Sequence, residues 1–250
     1  MPRLSASDFR AVLAFLHFAH ENASADPFPR IVLDELRRLV PAEIVHYGEW
    51  RGGEFTHFGI STPDRETVLA VWTAYPEVRA DDPLPGGPGG DPVRERTPIG
   101  RAVKFSDVLT VRQLRALGLH AAVCKPLGID YVMKLFLPTP EGMGSTFVFD
   151  RAQRDFTERD RLVLDLLLPH LVQFRNAAWR REERSAAARR LTPREQEILS
   201  LVGRGKTNAE IAAELWVAPG TVRKHLDNVY AKLGVANRAQ AVARTSGWST

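Results

Sequence analysis

From Pro219 to Leu233 the apolar residues Val222, Leu226, Val229, Tyr230 and Leu233 recur at helical spacing and define one face. The opposite face displays Arg223, Lys224, Asp227 and Asn228. Arg and Lys pair with guanine edges and Asn with adenine, so this face has the chemistry to read a major groove. Helix starts and their hydroxyls suit phosphate oxygens in the same setting. Other reactive residues carry weaker patterns. Gly205-Lys206-Thr207 looks like the end of a phosphate-binding loop, but the first glycine of that motif would fall on Ser200. Leu199 to Val202 also reads as helix rather than the strand such a loop requires. Cys124 follows Ala121-Ala122-Val123, a setting that suits a core thiol rather than a redox sensor. His17 and His20 fit a polar helix surface, and the histidines, Cys124 and the acids show no metal-site spacing. No G-x-S-x-G, H-E-x-x-H or paired-carboxylate signature occurs. No catalytic residue, cofactor or metal is therefore assigned, and the chain is not expected to be an enzyme.

Flanking elements must present that face. Thr192-Pro193-Arg194-Glu195 places a hydroxyl at N-cap, proline at the first helical position and a carboxylate at the third, which is a capping box. Thr207-Asn208-Ala209-Glu210 repeats it. The first of these helices buries Ile198, Leu201 and Val202 and ends near Gly203; the second buries Ile211, Ala212 and Leu215. Trp216-Val217-Ala218 is a short turn, Gly234 ends the long helix, and Asn237 caps a last one with Ala241 and Val242 inward. A helix, a tight turn and a second helix with an exposed basic N-terminal half match the geometry of groove-reading motifs. His225 lies between the two faces and is expected to pack.

As a set, these residues resemble the LuxR-type (LuxR/FixJ/NarL) helix-turn-helix family. The likeness runs through Leu191-Thr192-Pro193-Arg194-Glu195, Asn208-Ala209-Glu210-Ile211-Ala212, Thr221-Val222-Arg223-Lys224-His225, Lys232-Leu233-Gly234-Val235 and Asn237-Arg238, about a quarter of the chain. The resemblance implies base-facing positions for Arg223, Lys224 and Asp227. It implies backbone contacts for Thr207, Asn208, Thr221, Lys232 and Arg238, and DNA binding as a dimer aided by the last helix. One departure stands out. The family commonly has Ser before the recognition helix, where this chain has Ala218, and losing that cap should cost about 1 kcal/mol.

The rest of the chain of 250 residues differs in character. From Arg175 to Thr250 there are 14 Lys/Arg and 7 Asp/Glu, against 20 and 23 in residues 1–174, so the basic excess sits where a polyanion would be met. A hydrophobic content of 44% with 26% charged residues is ordinary for a globular protein. One cysteine excludes an intrachain disulfide and fits a reducing cytoplasm. No apolar run is long enough to span a bilayer, and Arg3, Asp8 and Arg10 do not read as a secretion signal.

Helices are expected from Ser7 to Glu21 and Ile31 to Val40, then strands Ile44 to Trp50 and Glu54 to Ile60 around a Gly52-Gly53 turn. A helix from Arg65 to Tyr75 precedes a loop at Pro83 to Pro92 with four prolines and four glycines. Thr110 to Leu117 reads as a short helix closed by Gly118. Gly128 to Leu137 and Ser145 to Asp150 read as a hairpin turned at Pro138 to Gly142. Thr157 to Glu183 is a long helical stretch containing Pro169, with Leu164, Leu167, Leu168, Leu171 and Phe174 on neighbouring turns to cover a sheet or join a partner helix.

The fold class expected is α+β, a GAF/PAS-like α/β/α sensory domain followed by an all-α four-helix helix-turn-helix domain. Boundaries fall at 1–178 for the sensory or dimerisation domain, 179–190 for a solvated linker and 191–250 for the DNA-binding domain. Tyr47, Trp72, Tyr75, Phe136 and Phe147 are the aromatic candidates for a ligand pocket, with core packing as the alternative. Acyl-homoserine-lactone receptors of the resembled family carry an aromatic and acidic pocket pattern that Trp72, Tyr75, Asp81, Asp82 and Pro83 echo; the proline- and glycine-rich loop follows at once, so that ligand is not assigned. The function expected is a dimeric, cytoplasmic, sequence-specific regulator of transcription. Its partners would be double-stranded DNA, a second copy, RNA polymerase and a small effector of unknown identity, with no membrane. A sigma-factor-like protein and an enzyme with a DNA-binding appendage are the alternatives. The first lacks a basic-aromatic promoter-melting segment upstream, and the second lacks catalytic groups.

Overall fold

The computed structural model describes residues 3–51, 54–84, 100–140 and 143–245. The Gly52-Gly53 turn, all but the start of the Pro83–Pro92 loop, and Glu141-Gly142 of the second hairpin lie outside the described residues. The chain divides into two compact units, Met1–Ala177 and Ala178–Thr250. No helix among the described residues is long and apolar enough to cross a membrane.

In the first unit α1 (Ala6–Glu21) and α2 (Arg30–Leu39) precede β1 (Ile44–Arg51) and β2 (Glu54–Ser61). A capping box at Ser5 and Asp8 starts α1. Then come α3 (Arg65–Trp72), α4 (Tyr75–Val78), β3 (Ala102–Lys104), α5 (Val111–Leu114), β4 (Tyr131–Phe136), β5 (Met143–Arg151) and α6 (Glu158–Arg189), whose residues from Ala178 on belong to the second unit. The five strands form one antiparallel sheet in the order β2-β1-β5-β4-β3. Helices flanking an antiparallel sheet are the α+β arrangement read from the sequence.

Both faces of that sheet are covered, and the two-residue period of a strand sorts its side chains between them. Val45, Tyr47, Met133, Leu135, Phe147 and Phe149 join one core with Phe15, Leu33, Leu36, Leu164 and Leu167 from α1, α2 and α6. Ile44, Val132, Phe136 and Val148 join the other, with Val68, Tyr75, Phe105 and Leu119.

Several boundaries differ from expectation, each for a local reason. The helix read as Arg65 to Tyr75 is interrupted after Trp72, and Tyr75-Pro76 starts a separate turn, α4. The helix expected from Thr110 to Leu117 keeps only Val111–Leu114, capped by Thr110 and Gln113. Gly118 does not close it with a left-handed residue. Its N–H donates to Asp81 Oδ2 at 2.9 Å, and an added Cβ would stand 2.6 Å from that oxygen. Strand β4 starts at Tyr131 because Gly128, at φ 68, turns the chain first. Segment 179–190, expected as a solvated linker, is helical to Arg189: Ala186, Ala187 and Ala188 favour helix, and Ala187 is buried in the core of the second unit.

The second unit contains α7 (Pro193–Gly203), α8 (Asn208–Glu214), α9 (Pro219–Leu233) and α10 (Arg238–Thr245) around Ile198, Leu199, Leu201, Val202, Ile211, Val222, Leu226 and Val229. Both capping boxes form, Thr192 with Glu195 and Thr207 with Glu210. Gly234 ends α9 at φ 63.

One glycine is fixed by its neighbour across the sheet. Trp50 pairs with Gly144, and its indole covers the space in which a Cβ would lie only 1.9 Å from the ring. Gly144→Ala should therefore force the indole or strand β5 aside and lower stability by about 1–3 kcal/mol. Urea denaturation checks it; an unchanged midpoint would show that the indole moves freely.

Candidate nucleic-acid interface and ligand cavity

Helix α9 presents Arg223, Lys224, Asp227 and Asn228 as exposed side chains, while Val222, Leu226, Val229 and Leu233 are buried. Among the described residues none of these three charged groups is held in an ion pair, so the face keeps its donors and acceptors for an external partner. Gly220, one turn earlier, has open space around it. His225 is half-buried between the faces.

The five residues expected at the DNA backbone divide into separate settings. Arg238 donates to Asn208 Oδ1 at 3.4 Å and to the Lys206 carbonyl, which gathers the start of α10 and the start of α8 beside Thr207. Thr207 itself is occupied as the cap of α8, with its backbone N–H donating to Glu210 Oε2 at 2.7 Å. Thr221 is exposed in the first turn of α9. Lys232 stands apart from these. Its ammonium donates to both oxygens of Glu195 at 2.7 and 2.9 Å, and the Glu195 side chain is only 4% exposed. Burial pushes the Glu195 carboxyl up, but the Lys232 and Thr192 hydrogen bonds outweigh it and hold the group below its ordinary range. Lys232 thus fastens the end of α9 to the start of α7.

Two features of the turn before α9 escaped the sequence reading. Trp216 has φ 55 and is 94% exposed, an uncommon conformation for a bulky residue. Arg194 holds the turn from outside, its Nη2 donating to the Leu215 carbonyl at 2.9 Å. Ala218 takes N-cap geometry with no side-chain hydrogen bond, as its residue type dictates.

In the first unit the five aromatic pocket candidates do not converge. Tyr47 and Phe147 lie on the face covered by α1, α2 and α6, whereas Trp72, Tyr75 and Phe136 lie on the other. Strand alternation separates Phe136 from Tyr47 and Phe147, and α3 and α4 bring Trp72 and Tyr75 to the Phe136 side, which corrects the expectation of one pocket. Tyr47 serves a buried polar network instead: its hydroxyl donates to Glu49 and lies 2.9 Å from Ser145 Oγ. Burial, reinforced by the Glu49 charge, pushes its pKa well above normal. The cavity on the other face measures about 60 Å³ and is lined by Trp72 and Tyr75 but not Phe136. Trp50, Phe55, Phe58 and Lys134, which went unread, also line it, as does Asp82, which the sequence had grouped with Trp72 and Tyr75. Cys124 also borders it, its thiol pushed up to about 12 chiefly by burial, as befits an inert core cysteine. A wider groove of about 660 Å³ lies elsewhere on this unit, but two of its arginines are already engaged. Arg37 donates to Ser61 Oγ and Arg151 to the Pro41 carbonyl.

Residues 189–245 match the sequence pattern described as bacterial regulatory proteins, luxR family. The spore germination protein GerE of Bacillus subtilis is 50% identical over 52 residues, which are 21% of this chain and 70% of that protein. This chain belongs to the luxR family. The shared part is the second unit, the luxR-type domain. The transcriptional regulatory protein DesR of Bacillus subtilis is 44% identical over 69 residues, 27% of this chain and 35% of DesR. An HTH-type transcriptional regulator of Mycobacterium bovis is 49% identical over 65 residues, 25% of this chain but only 7% of that protein. The chain therefore spans a small part of the larger luxR-family relatives. Among solved structures, SdiA of Escherichia coli overlaps 95% of this chain and 96% of its own, with a TM-score of 0.45 and 18% identity. The VqsR ligand-binding domain of Pseudomonas aeruginosa overlaps 70% of this chain at a TM-score of 0.48 and 12% identity. At that overlap nothing about ligand or partner transfers to this chain.

Two substitutions test the luxR-type domain. Ala218→Ser should supply the missing cap and raise stability by about 1 kcal/mol, measured by urea denaturation. Lys232→Met should cost about 1–2 kcal/mol near neutral pH, a range lowered because the lysine is 37% exposed. Because the folded Glu195 pKa is depressed, its contribution is complete above the unfolded value and is lost as pH falls through the folded one. The gap between wild type and Lys232→Met should therefore close in acid. A gap that stays constant down to about pH 3 would rule out this pairing as its source.

Proposed function

We propose that this chain is a dimeric, sequence-specific regulator of transcription that places one α9 helix per subunit in successive major grooves. The observation that carries the reading is the exposed, unpaired face of α9 inside a luxR-type domain. Arg223, Lys224, Asp227 and Asn228 read bases in this proposal. Thr207, Asn208, Thr221 and Arg238 contact the backbone, and Lys232 acts chiefly by fixing α9 through Glu195. Residues 191–250 bind DNA, residues 1–178 sense a small molecule or mediate dimerisation, and 179–190 join them. The protein works in the cytoplasm, where RNA polymerase is the further partner of a DNA-bound regulator. A signal at the first unit changes how the two luxR-type domains of the dimer are placed on an operator of two-fold symmetry.

Sequences selected from random DNA by the full-length protein would supply the operator. On that operator Arg223→Ala should weaken binding by about 1–3 kcal/mol while leaving random DNA nearly unaffected. Equal losses on both would remove Arg223 from base reading, and selection of no sequence at all would overturn the proposal.

A further inference from the structure

We infer that the cavity of the first unit takes a small single-ring aromatic molecule presenting a hydrogen-bond-accepting oxygen to Lys134. The inference rests on the sensing role proposed for that unit and names the chemistry it would sense.

One wall is a continuous run of rings. Centroids stand 6.4 Å apart from Trp50 to Phe55, 6.5 Å from Phe55 to Phe58, 5.7 Å from Phe58 to Trp72 and 4.7 Å from Trp72 to Tyr75. Val132, Val148 and Ile129 add an aliphatic part to the lining. A cavity so lined favours a flat apolar body that can stack or meet ring edges. At about 60 Å³ it offers the room of roughly four to six waters, which suits one ring with a small substituent.

The polar floor selects the substituent. Asp82 accepts from the Tyr75 hydroxyl at 2.8 Å, from Lys134, and from the Leu84 backbone N–H at 3.0 Å. About three of a carboxylate's four acceptor positions are then filled, and the side chain is 2% exposed. Lys134, whose side chain is 7% exposed, gives one N–H to Asp82 and a second to the Leu84 carbonyl at 3.0 Å. An ammonium has three donors, so one remains, beside the cavity and the Phe105 ring 5.3 Å away. A buried charged donor without an acceptor is costly, and a ligand oxygen relieves that cost. The Asp82–Lys134 pair is already neutral, so the oxygen need carry no charge. Elsewhere in the lining His46 Nε2 lies 3.5 Å from Asp150 Oδ2, and the imidazole meets Trp72 edge-on. Lys134, with its third N–H unengaged, is the anchoring group.

The test uses the full-length protein with acetophenone and benzylamine, two probes of similar size, followed by ligand-observed NMR and calorimetry. Acetophenone should bind saturably, and benzylamine at least ten-fold more weakly. Lys134→Met combined with Asp82→Asn, which leaves no lone buried charge, should weaken acetophenone at least ten-fold. Cys124→Phe, which fills the hollow but keeps the ion pair, should abolish its binding. Preference for benzylamine, absence of acetophenone binding, or binding undiminished in both variants would overturn the inference. Binding of acetophenone that leaves operator affinity unchanged would uphold the inference and count against the sensing role.

Discussion

Strands β1 and β5 lie side by side at the centre of the sheet, and both are covered on each face. Every residue along them must serve one core or the other, and its neighbour in sequence must serve the opposite one. This parity controls the first unit. It sends Tyr47, Phe147 and Phe149 toward α1, α2 and α6, and it sends His46, Thr146 and Val148 toward the cavity. A shift of one residue in the β1–β5 register would exchange the two sets and destroy both cores together.

The same division keeps two buried polar systems apart. Tyr47, Glu49 and Ser145 are linked on one face; Tyr75, Asp82 and Lys134 are linked on the other. Each sits among apolar side chains and is satisfied largely from within, as buried polar groups must be. The exception is the spare donor of Lys134, which is why one face carries chemistry for a small molecule and the other is structural.

What the sequence disclosed follows the range over which the deciding forces act. Capping boxes at Thr192 and Thr207 and the periodicity of α9 are contained within a few residues, so the luxR-type domain was readable almost element by element. The strands of the first unit were legible as alternating or apolar runs. β3, only Ala102–Lys104, is too short to show a period and exists because β4 offers it a partner. That Trp72 packs on the face opposite Tyr47 could not be read, since Trp72 reaches the sheet from a helix whose placement is tertiary. The Lys232–Glu195 pair spans 37 positions and leaves no local mark; the same holds for the indole that claims the space beside Gly144.

The turn leading into α9 combines two unfavourable local choices. Trp216 holds a left-handed backbone that costs a bulky residue strain, and Ala218 leaves the first turn of α9 without a side-chain cap. The C-terminal end, by contrast, is closed by Gly234 and clamped through Lys232. The helix is therefore held by fewer interactions at its beginning than at its end. In the proposed reading the beginning is the part that enters a groove, so nucleic acid would meet the helix where its own supports are fewest. Contacts made there by a matched site would brace the uncapped turn, and a poorly matched site would leave it as it stands.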